Sequence, residues 1–547
     1  MLGLASFITL GVIFGFIFII VFLATYFGGG ADMPMIIGFT VLGNILIWLF
    51  APFFTDLIYR FAYKTKRLTI EELAVKSKKL VDFIKRVCEK HKIKVPRLIN
   101  ILDDNPTAFT FGSGAFNARL CFSDGLFEYL DEEEIEAVIA HELGHIIRRD
   151  FIIMTIASTG VQILYELYQW MSKRRSNNNS KSKGGLAYAG LLAYVFYLVG
   201  TYLLLFLSRT REYGADAFSA SETQNPDALA RALVKIAYGI VAKPDAPEQK
   251  RLLESTRALG PFDTRAARHL GTAYESSKQD WHAISKVIAF DFLSPWAKIL
   301  QLQSTHPLTG RRIEKLNDLS ANLGKKVSMD TKSAHDMTVD KGKLYGGFFK
   351  DVFIYFMPWI LPFACLIAAA ILGNATLLIW MLGAIGVGIL IQLAYKYPET
   401  EPVKATTLDM MSDIYASPMR GQPYSLDGKI IGRGTAGAYL SEDVMLQDSK
   451  GLIYLNYESA FSFLGNLFFA LGRVRKLIGK KASSTGWFFR DIGHHFDIKE
   501  MKPEGEGAIK SHPKLWGMIF GIILIGLSVF LTVQYGAAGL SQMMGQF

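Results

Sequence analysis

Seven long apolar stretches interrupt the 547-residue sequence and restrict the folds open to it. A helix needs about 20 apolar residues to cross a bilayer, and each stretch reaches that length. The stretches are 4–27, 35–54, 151–171, 186–207, 352–372, 375–395 and 515–535. We therefore predict a multi-pass α-helical membrane protein. The first stretch lacks a basic leader, so we expect a retained anchor rather than a cleaved signal peptide.

Basic residues indicate which way the chain crosses the membrane. Arg60, Lys64, Lys66 and Arg67 follow the second stretch, whereas the turn before it has no basic residue. Lysine and arginine favour the cytoplasmic side, so we predict that the large polar segments lie in the cytoplasm, at the plasma (inner) membrane. The loop 172–185 disagrees, because its five basic residues lie outside if the third and fourth stretches both cross.

The stretches divide the chain into predicted domains. These are 1–54 with two spans, 55–150 with the first part of a soluble domain, 151–207 as a membrane hairpin, 208–350 with the second part, 351–395 with two spans, 396–514 as a soluble β-rich domain, and 515–547 with a last span. In the β-rich domain, strands are predicted at 424–432, 443–447, 451–457 and 482–489. We expect a small β-barrel of OB or SH3 type, with a basic stretch at 473–481 suited to lipid headgroups.

The motif His141-Glu-Leu-Gly-His145 carries the strongest chemical signal. It matches H-E-x-x-H, in which two histidines one helical turn apart can bind a single metal ion. Asp131 and Glu134 have the spacing of a capping box, which predicts that a helix begins just before the motif. We predict that this helix presents His141 and His145 to zinc, one ion per chain, with Glu142 as the catalytic base.

A second cluster of candidate residues follows the fourth apolar stretch. Glu212 is the candidate third zinc ligand, because hydrolytic zinc sites commonly combine two histidines with one carboxylate. Asp216 lies one helical turn later and is predicted to orient a ligating histidine. Further on, His306 is a candidate to contact the substrate or the oxyanion; the alternative is a histidine that only starts a helix.

A short β-rich run precedes the zinc motif. Strands are predicted at 96–102 and 119–123, with the segment 105–112 between them. Asn105, Ala108 and Phe109 are candidate substrate-binding residues, because an open sheet edge can pair with an extended peptide. An ordinary edge strand packed on the helix is an equal alternative.

Five segments in this order resemble the HtpX-like integral-membrane zinc metallopeptidases. They are 105–112, 123–130, the motif at 141–145, 211–216 and 304–307. The resemblance covers about residues 1–320 and implies a mainly helical α+β catalytic domain of the zincin, or gluzincin, type. It implies His141, His145 and Glu212 on zinc, Glu142 as base, and turnover of damaged or misassembled membrane proteins. Residues from about 350 onward are an addition to a minimal four-span HtpX.

Composition narrows the alternatives. The net charge of +10 is modest and no nucleic-acid motif is seen, so a nucleic-acid partner is not indicated. The three cysteines form no CxxC pair, so neither a disulfide framework nor a thiolate zinc site is indicated. The predicted partners are therefore polypeptide substrates and the lipid bilayer, with an oligomer left open. The alternatives are a CaaX prenyl protease, a membrane scaffold with a structural zinc site, and a transporter. A scaffold would need a fourth protein ligand, and a transporter would need paired broken helices.

Overall fold

The computed structural model describes residues 12–23, 33–62, 65–101, 108–177, 183–242, 281–329, 331–433, 442–449, 452–491 and 494–544. Asn105, one of the three candidate substrate-binding residues, lies outside the described residues. The described part of the chain divides into two compact units. The first holds residues from 12 to 242 and 299–331, and the second holds 281–298 and 332–544.

The first unit joins membrane helices to a four-stranded sheet. Its elements are α1 Val12–Leu23, α2 Met33–Ala62, β1 Thr65–Leu68, α3 Ile70–Lys76, α4 Lys78–Lys90, β2 Arg97–Ile101, β3 Ala108–Phe111, β4 Arg119–Ser123, α5 Asp124–Tyr129, α6 Glu132–Ile147, α7 Asp150–Asn177, α8 Lys183–Thr223 and α9 Pro226–Ala242. The strand order is β1-β2-β4-β3, with β2 and β4 parallel and the other pairs antiparallel. Helix α6 packs against β3 on one side and α8 on another, so it lies between the sheet and the membrane hairpin.

A buried ion pair fastens the sheet to the membrane part of this unit. Arg119 of β4 is fully buried, and its Nη2 lies 2.7 Å from Oδ2 of Asp56 near the end of α2. The guanidinium also lies over the rings of Phe53 and Phe111, at 5.1 and 5.7 Å. A buried charge is tolerated when it is paired in this way, so the pair sets where β4 meets α2.

Helix α8 is much longer than a membrane crossing requires. It runs for 41 residues without a break, which at 1.5 Å per residue is about 60 Å. The hydrocarbon core of a bilayer is about 30 Å thick. The helix therefore crosses the membrane and continues into the soluble part, and Glu212 and Asp216 lie on that continuation.

The predicted membrane spans are largely recovered. Five helices are long and apolar enough to cross a bilayer, namely Met33–Leu57, Asp150–Lys173, Ala187–Thr223, Thr376–Lys396 and Leu515–Gln534. The pair Lys341–Tyr355 and Met357–Leu372 meets the same test jointly but is bent by 61°, and counting it as one span gives six. Of the first predicted stretch, the structure describes the apolar helix Val12–Leu23.

The second unit and the helices that precede it follow in sequence. Their elements are α10 Trp281–Leu293, α11 Pro295–Leu302, α12 Thr309–Asn322 (which belongs to the first unit), α13 Lys332–His335, α14 Lys341–Tyr355, α15 Met357–Leu372, α16 Thr376–Lys396, β5 Val403–Lys404, α17 Thr407–Met411, β6 Gln422–Arg433, β7 Val444–Gln447, β8 Leu452–Asn456, α18 Ser462–Phe469, a π-helical turn Ala470–Val474, α19 Arg475–Leu477, β9 Lys481–Phe489, β10 His495–Pro503, β11 Ile509–Lys510 and α20 Leu515–Met544.

Five of these strands close into a barrel, as the sequence predicts. The pairs β6–β7, β7–β8, β8–β10, β10–β9 and β9–β6 complete a ring, in which only β8–β10 is parallel. This order, with helices between the third and fourth strands, is that of an OB fold. The sequence does not predict β10, the strand that closes the ring. The barrel interior is filled by side chains that are fully buried, among them Leu426, Ile430, Leu446, Ile453, Leu455, Phe488, Phe496 and Ile498.

Candidate metal centre

Helix α6 presents the two motif histidines to one buried point. It begins as predicted, since Asp131 accepts a hydrogen bond from the backbone N–H of Glu134 at 3.0 Å and the Glu134 carboxylate accepts one in return. His141 and His145 are both buried, and their Nε2 atoms lie 3.3 Å apart. Gly144 between them leaves room for helix α8, because a Cβ there would lie 3.1 Å from the ring of Phe218.

Helix α8 brings a carboxylate to the same point. Oε2 of Glu212 lies 3.6 Å from Nε2 of His141, and its Oε1 lies 3.6 Å from Nε2 of His145. One ligand atom from each residue lies within 4.8 Å of the others. The residues that the sequence names as zinc ligands are therefore brought together, although 67 positions separate His145 from Glu212 in the chain.

A second layer of carboxylates fixes how the two imidazoles face. Oδ1 of Asp216 lies 2.9 Å from Nδ1 of His141, and Oδ2 of Asp150 lies 2.7 Å from Nδ1 of His145. A carboxylate at Nδ1 keeps the proton on that nitrogen and leaves Nε2 with its lone pair directed at a metal. Asp216, the residue that the sequence proposes for this contact, lies beside His141. Asp150, the first residue of α7, is a partner that the sequence does not predict.

An arginine holds Asp216 in turn. Arg312 of α12 donates from Nε at 2.9 Å and from Nη2 at 2.6 Å to the two oxygens of Asp216, and both side chains are buried. Two parallel hydrogen bonds of this kind fix both the position and the plane of a carboxylate. Sequence reasoning gives no role to Arg312, because nothing near it in the chain names its partner 96 residues away.

The candidate base, Glu142, lies beside the candidate ligands and is fully buried. Its Oε2 accepts a hydrogen bond from the Thr110 hydroxyl at 3.0 Å, and its Oε1 is buried without a hydrogen-bond partner among the described residues. The pKa of this carboxyl is raised to about 8, chiefly by burial; the neighbouring Glu212 also raises it, whereas His141 and the hydrogen bond from Thr110 lower it. One oxygen is thus held by β3, and the other is left available to accept a proton. Thr110 is a second contact that the sequence does not predict.

His306 is also brought to the centre. Its Nδ1 lies 3.1 Å from Oε2 of Glu212. The segment before it is held by Arg209, which donates to the carbonyl oxygens of Leu302 and Ser304 at 3.3 and 2.8 Å. His306 therefore contacts the candidate carboxylate ligand directly, a relationship that neither sequence alternative describes.

The two described candidates for substrate binding lie in β3. Ala108 and Phe109 are fully buried, so their side chains pack in the interior. Strand β3 stands at the end of the sheet order and pairs with β4. Since Thr110 of the same strand touches Glu142, β3 lies directly beside the candidate metal centre.

The donor set fits zinc. Two imidazole nitrogens and a carboxylate oxygen are ligands that zinc prefers, at about 2.0–2.2 Å. The two Nε2 atoms lie 3.3 Å apart and each of them lies 3.6 Å from a different oxygen of Glu212, so all three residues are within reach of a single ion. The described residues supply three donors and so leave one position for water, the arrangement of catalytic rather than structural zinc sites.

Comparison with known proteins agrees with this geometry. The profile of peptidase family M48 matches residues 74–320. A protease HtpX homolog of Nostoc sp. is 31% identical over 214 residues, which is 38% of this chain and 71% of that protein. The chain belongs to peptidase family M48. The resemblance to HtpX-like metallopeptidases is thereby confirmed.

Other M48 relatives show how far the likeness extends. The HtpX homolog of Pyrococcus abyssi is 28% identical over 326 residues, covering 59% of this chain and 99% of that protein. The HtpX homolog of Desulforapulum autotrophicum is 32% identical over 188 residues, covering 34% of this chain but only 60% of that protein's own length. The crystal structure of S. mikatae Ste24p is 16% identical, with a TM-score of 0.34 over 55% of this chain and 62% of that one. The M48 profile ends before α13, so the OB-like barrel lies outside it.

Proposed function

We propose that this M48 chain is a zinc-dependent endopeptidase that hydrolyses peptide bonds of misfolded or membrane proteins. The observation that carries the proposal is the meeting of His141, His145 and Glu212 beside the buried carboxylate of Glu142. A structural zinc would be closed off by four protein ligands. Among the described residues, the group that could hold a metal has three, which supports a catalytic site over a scaffold.

The residues divide the work of hydrolysis. His141, His145 and Glu212 hold one ion per chain; when bound, zinc acidifies a water molecule and polarises the scissile carbonyl group. Glu142 accepts the proton of the attacking water at its unpaired Oε1 and passes it to the nitrogen of the departing amine. Thr110 holds the other oxygen of Glu142, so that the carboxylate cannot turn away.

The surrounding carboxylates and His306 act on the ligands. Asp216 and Asp150 orient the two imidazoles, and His306 holds Oε2 of Glu212. His306 keeps its predicted role of substrate or oxyanion contact as a further part of the proposal, since the ring is already at the centre. These contacts fix the imidazoles and the Glu212 carboxylate before the substrate binds. A site that is preorganised in this way does not have to rearrange during the reaction.

The substrate lies along β3 in this proposal. An extended peptide can add to the end of a sheet through main-chain hydrogen bonds. Ala108 and Phe109 are buried by their side chains, so they contribute backbone groups, and Asn105 is retained from the sequence as a third contact. A peptide beside β3 passes Glu142, because Thr110 links that strand to the base.

The proposed location is the cytoplasmic face of the inner membrane, where protein quality control meets the bilayer. Support comes from the basic residues that follow the second apolar stretch and from α8, which carries a candidate ligand on the continuation of a membrane span. A site in that position reaches polypeptide as it leaves the bilayer. Substrates that are themselves membrane-bound suit it best.

The test uses the full-length protein in nanodiscs, with casein and a membrane protein as substrates. We expect one zinc per chain, cleavage abolished by a chelator and restored by zinc. Glu142→Gln should retain zinc and lose about 10²–10⁴-fold in rate, the usual contribution of a general base. Glu132→Gln, on the exposed start of the same helix, is the matched control. Cleavage by Glu142→Gln at the wild-type rate would disprove the base role, and absence of cleavage by wild type loaded with zinc would favour the scaffold.

A further inference from the structure

One face of the barrel unit displays apolar side chains that its described residues leave exposed. The segment Ser462–Leu477, formed by α18, the π-helical turn and α19, is here called the aromatic helix. Its inner side is buried in the barrel unit, where Phe469 stacks on Tyr457 with ring centroids 3.8 Å apart. Its outer side, together with the residue before it, exposes five large apolar side chains, between 58% and 77% accessible: Phe461, Phe463, Leu464, Phe468 and Leu471.

An exposed apolar surface of this kind is typical of a binding site. Soluble surfaces rarely expose contiguous apolar patches of more than a few hundred Å², and three of these five residues are phenylalanines. The remainder of the helix is well packed, with Ala470 and Val474 fully buried. The exposure is therefore a property of the outer face alone.

The start of the aromatic helix is tied to the base of the last membrane span. The backbone N–H of Glu458 donates to Ser511 Oγ at 2.9 Å, and the N–H of His512 donates to the Glu458 carbonyl at 2.7 Å. Helix α20, whose apolar part is Leu515–Gln534, begins three residues after His512. The aromatic helix begins four residues after Glu458, so its first turn lies where the chain enters the bilayer.

A second set of contacts holds the barrel against the ends of two spans. Tyr397, directly after span α16, packs edge-on against Trp487 of β9 at 5.0 Å. Lys514, directly before α20, pairs with Glu399 and lies 5.2 Å from the centre of the Trp487 ring. Both spans therefore meet the barrel at Trp487, which keeps the barrel at the membrane surface.

The charges around the exposed face suit lipid headgroups. Arg473, Arg475 and Lys476 follow the apolar residues on the same helix and are exposed. Helices that lie in the membrane interface combine Phe and Leu on one face with Lys and Arg on the polar flank. Each basic residue near an anionic leaflet adds to the attraction.

We propose that the aromatic helix lies in the plane of the bilayer interface, with Phe463, Leu464 and Phe468 among the acyl chains. Its occupant is an anionic lipid surface rather than another protein. The bilayer is always within reach, because the helix is anchored beside α20, whereas a second copy or a substrate must first diffuse to it. The docked helix fixes the orientation of the barrel on the membrane independently of any peptidase activity.

The test measures the lipid contact of this face in the full-length protein. The variant Phe468→Cys carries an environment-sensitive fluorophore at the new cysteine and is placed in nanodiscs of phosphatidylglycerol and phosphatidylcholine. Cys365→Ser removes the one native cysteine that is not buried. The matched label is at Val403, an apolar residue of β5 that is also well exposed. We expect a blue-shifted emission at position 468 and at least about twofold more quenching by lipids with doxyl groups than at position 403.

Three outcomes decide the proposal. Equal, water-like emission at both positions overturns it. A blue shift only in discs that hold two copies, without quenching by lipid, also overturns it, because the face is then an interface between copies. Replacing Arg473, Arg475 and Lys476 by Gln should reduce lipid quenching in anionic discs and leave it unchanged in neutral discs. If the replacement changes quenching equally in anionic and neutral discs, the preference for anionic lipid is refuted. A label at Leu471 repeats the measurement in case position 468 perturbs folding.

Discussion

Arg312 donates hydrogen bonds to both carboxylate oxygens of Asp216, and Asp216 in turn lies 2.9 Å from the imidazole Nδ1 of His141. All three side chains are buried. The chain of contacts runs from α12 through α8 to α6, so three helices must be correctly placed before His141 can face the metal. Hydrolytic zinc sites are often described by their direct ligands, but here the outer residues set the geometry of the inner ones.

The first prediction concerns this chain of contacts. Asp216→Asn should weaken zinc binding about 10–100-fold, the usual cost of losing an outer partner of a ligating histidine. Zinc affinity is measured by competition with a chromophoric chelator. Asp227→Asn is the matched control, because Asp227 is a buried acid paired with Arg231 on α9, away from the metal centre. An equal loss of affinity in both variants would mean that Asp216 acts only through overall stability.

The second prediction separates charge from hydrogen bonding at His145. Asp150→Asn keeps an acceptor for the imidazole Nδ1–H, whereas Asp150→Leu removes it. We expect zinc affinity to fall in both, with the larger fall in the leucine variant. The same chelator competition reports the difference. If Asp150→Leu binds zinc like wild type, Asp150 does not orient His145.

The third prediction concerns the hydroxyl that holds the base. Thr110→Val has nearly the same shape but cannot donate to Oε2 of Glu142, which the wild-type hydroxyl reaches at 3.0 Å. Hydrogen bonds to charged groups contribute about 1.5–3 kcal/mol, so kcat should fall about 10–100-fold while zinc content is unchanged. Thr110→Ser retains the hydroxyl and should stay within a few-fold of wild type. Full activity in the valine variant would show that Glu142 needs no such support.

The fourth prediction is a pH dependence of the stability of the barrel. Burial raises the pKa of Asp443 to about 7, while the backbone N–H of Tyr457 lowers it and nearby carboxylates raise it. In the unfolded chain it titrates near 3.9. The folded barrel therefore holds this proton more tightly, and its stability falls as the pH rises from about 4 to about 7. Asp443→Asn should remove that loss and make the barrel more stable than wild type at pH 8, with the difference vanishing near pH 4.

Hydrogen exchange of β7 and β8 in the full-length protein, corrected for intrinsic rates, measures this effect. Asp427→Asn is the control with the opposite sign, because a hydrogen bond to Lys404 lowers the pKa of Asp427. The pair of Asp427 with Lys404 stabilises the fold at pH values above the pKa of Asp427 in the unfolded chain, and the effect is small because the pair is exposed. Protection at Asp443→Asn that is lower than wild type at pH 8 would contradict the assignment.

The elements that the sequence predicts share a local signal. The helix at 132–147 follows from the cap at Asp131 and from the four-residue spacing of His141 and His145, which is close to one helical turn. Most of the membrane spans follow from the length of apolar runs, and four of the five barrel strands from β-branched and aromatic residues between glycine turns. In each case neighbours within about ten residues suffice.

The features that were not predicted depend on distant residues or broken patterns. The sequence does not predict strand β10, because the pairing of this strand shifts register between Ile498 and Glu500, which interrupts the alternation of apolar and polar positions. Nor does it predict the contacts of Arg312 and Thr110, because their partners lie 96 and 32 residues away. Asp150 is only five residues from His145, but a break between α6 and α7, with Arg149 at φ 60°, is needed to turn it back.

Helix α8 joins a lipid-embedded half and a ligand-bearing half without an intervening hinge. A span that is too long for a thin bilayer responds by tilting, and a stiff rod tilts along its whole length. Such a tilt acts directly on Glu212, and it reaches the two imidazoles only through the packing of α6 against α8. We therefore expect zinc affinity to differ between short-chain and long-chain lipids, and a difference would make membrane thickness an input to the chemistry of this protein.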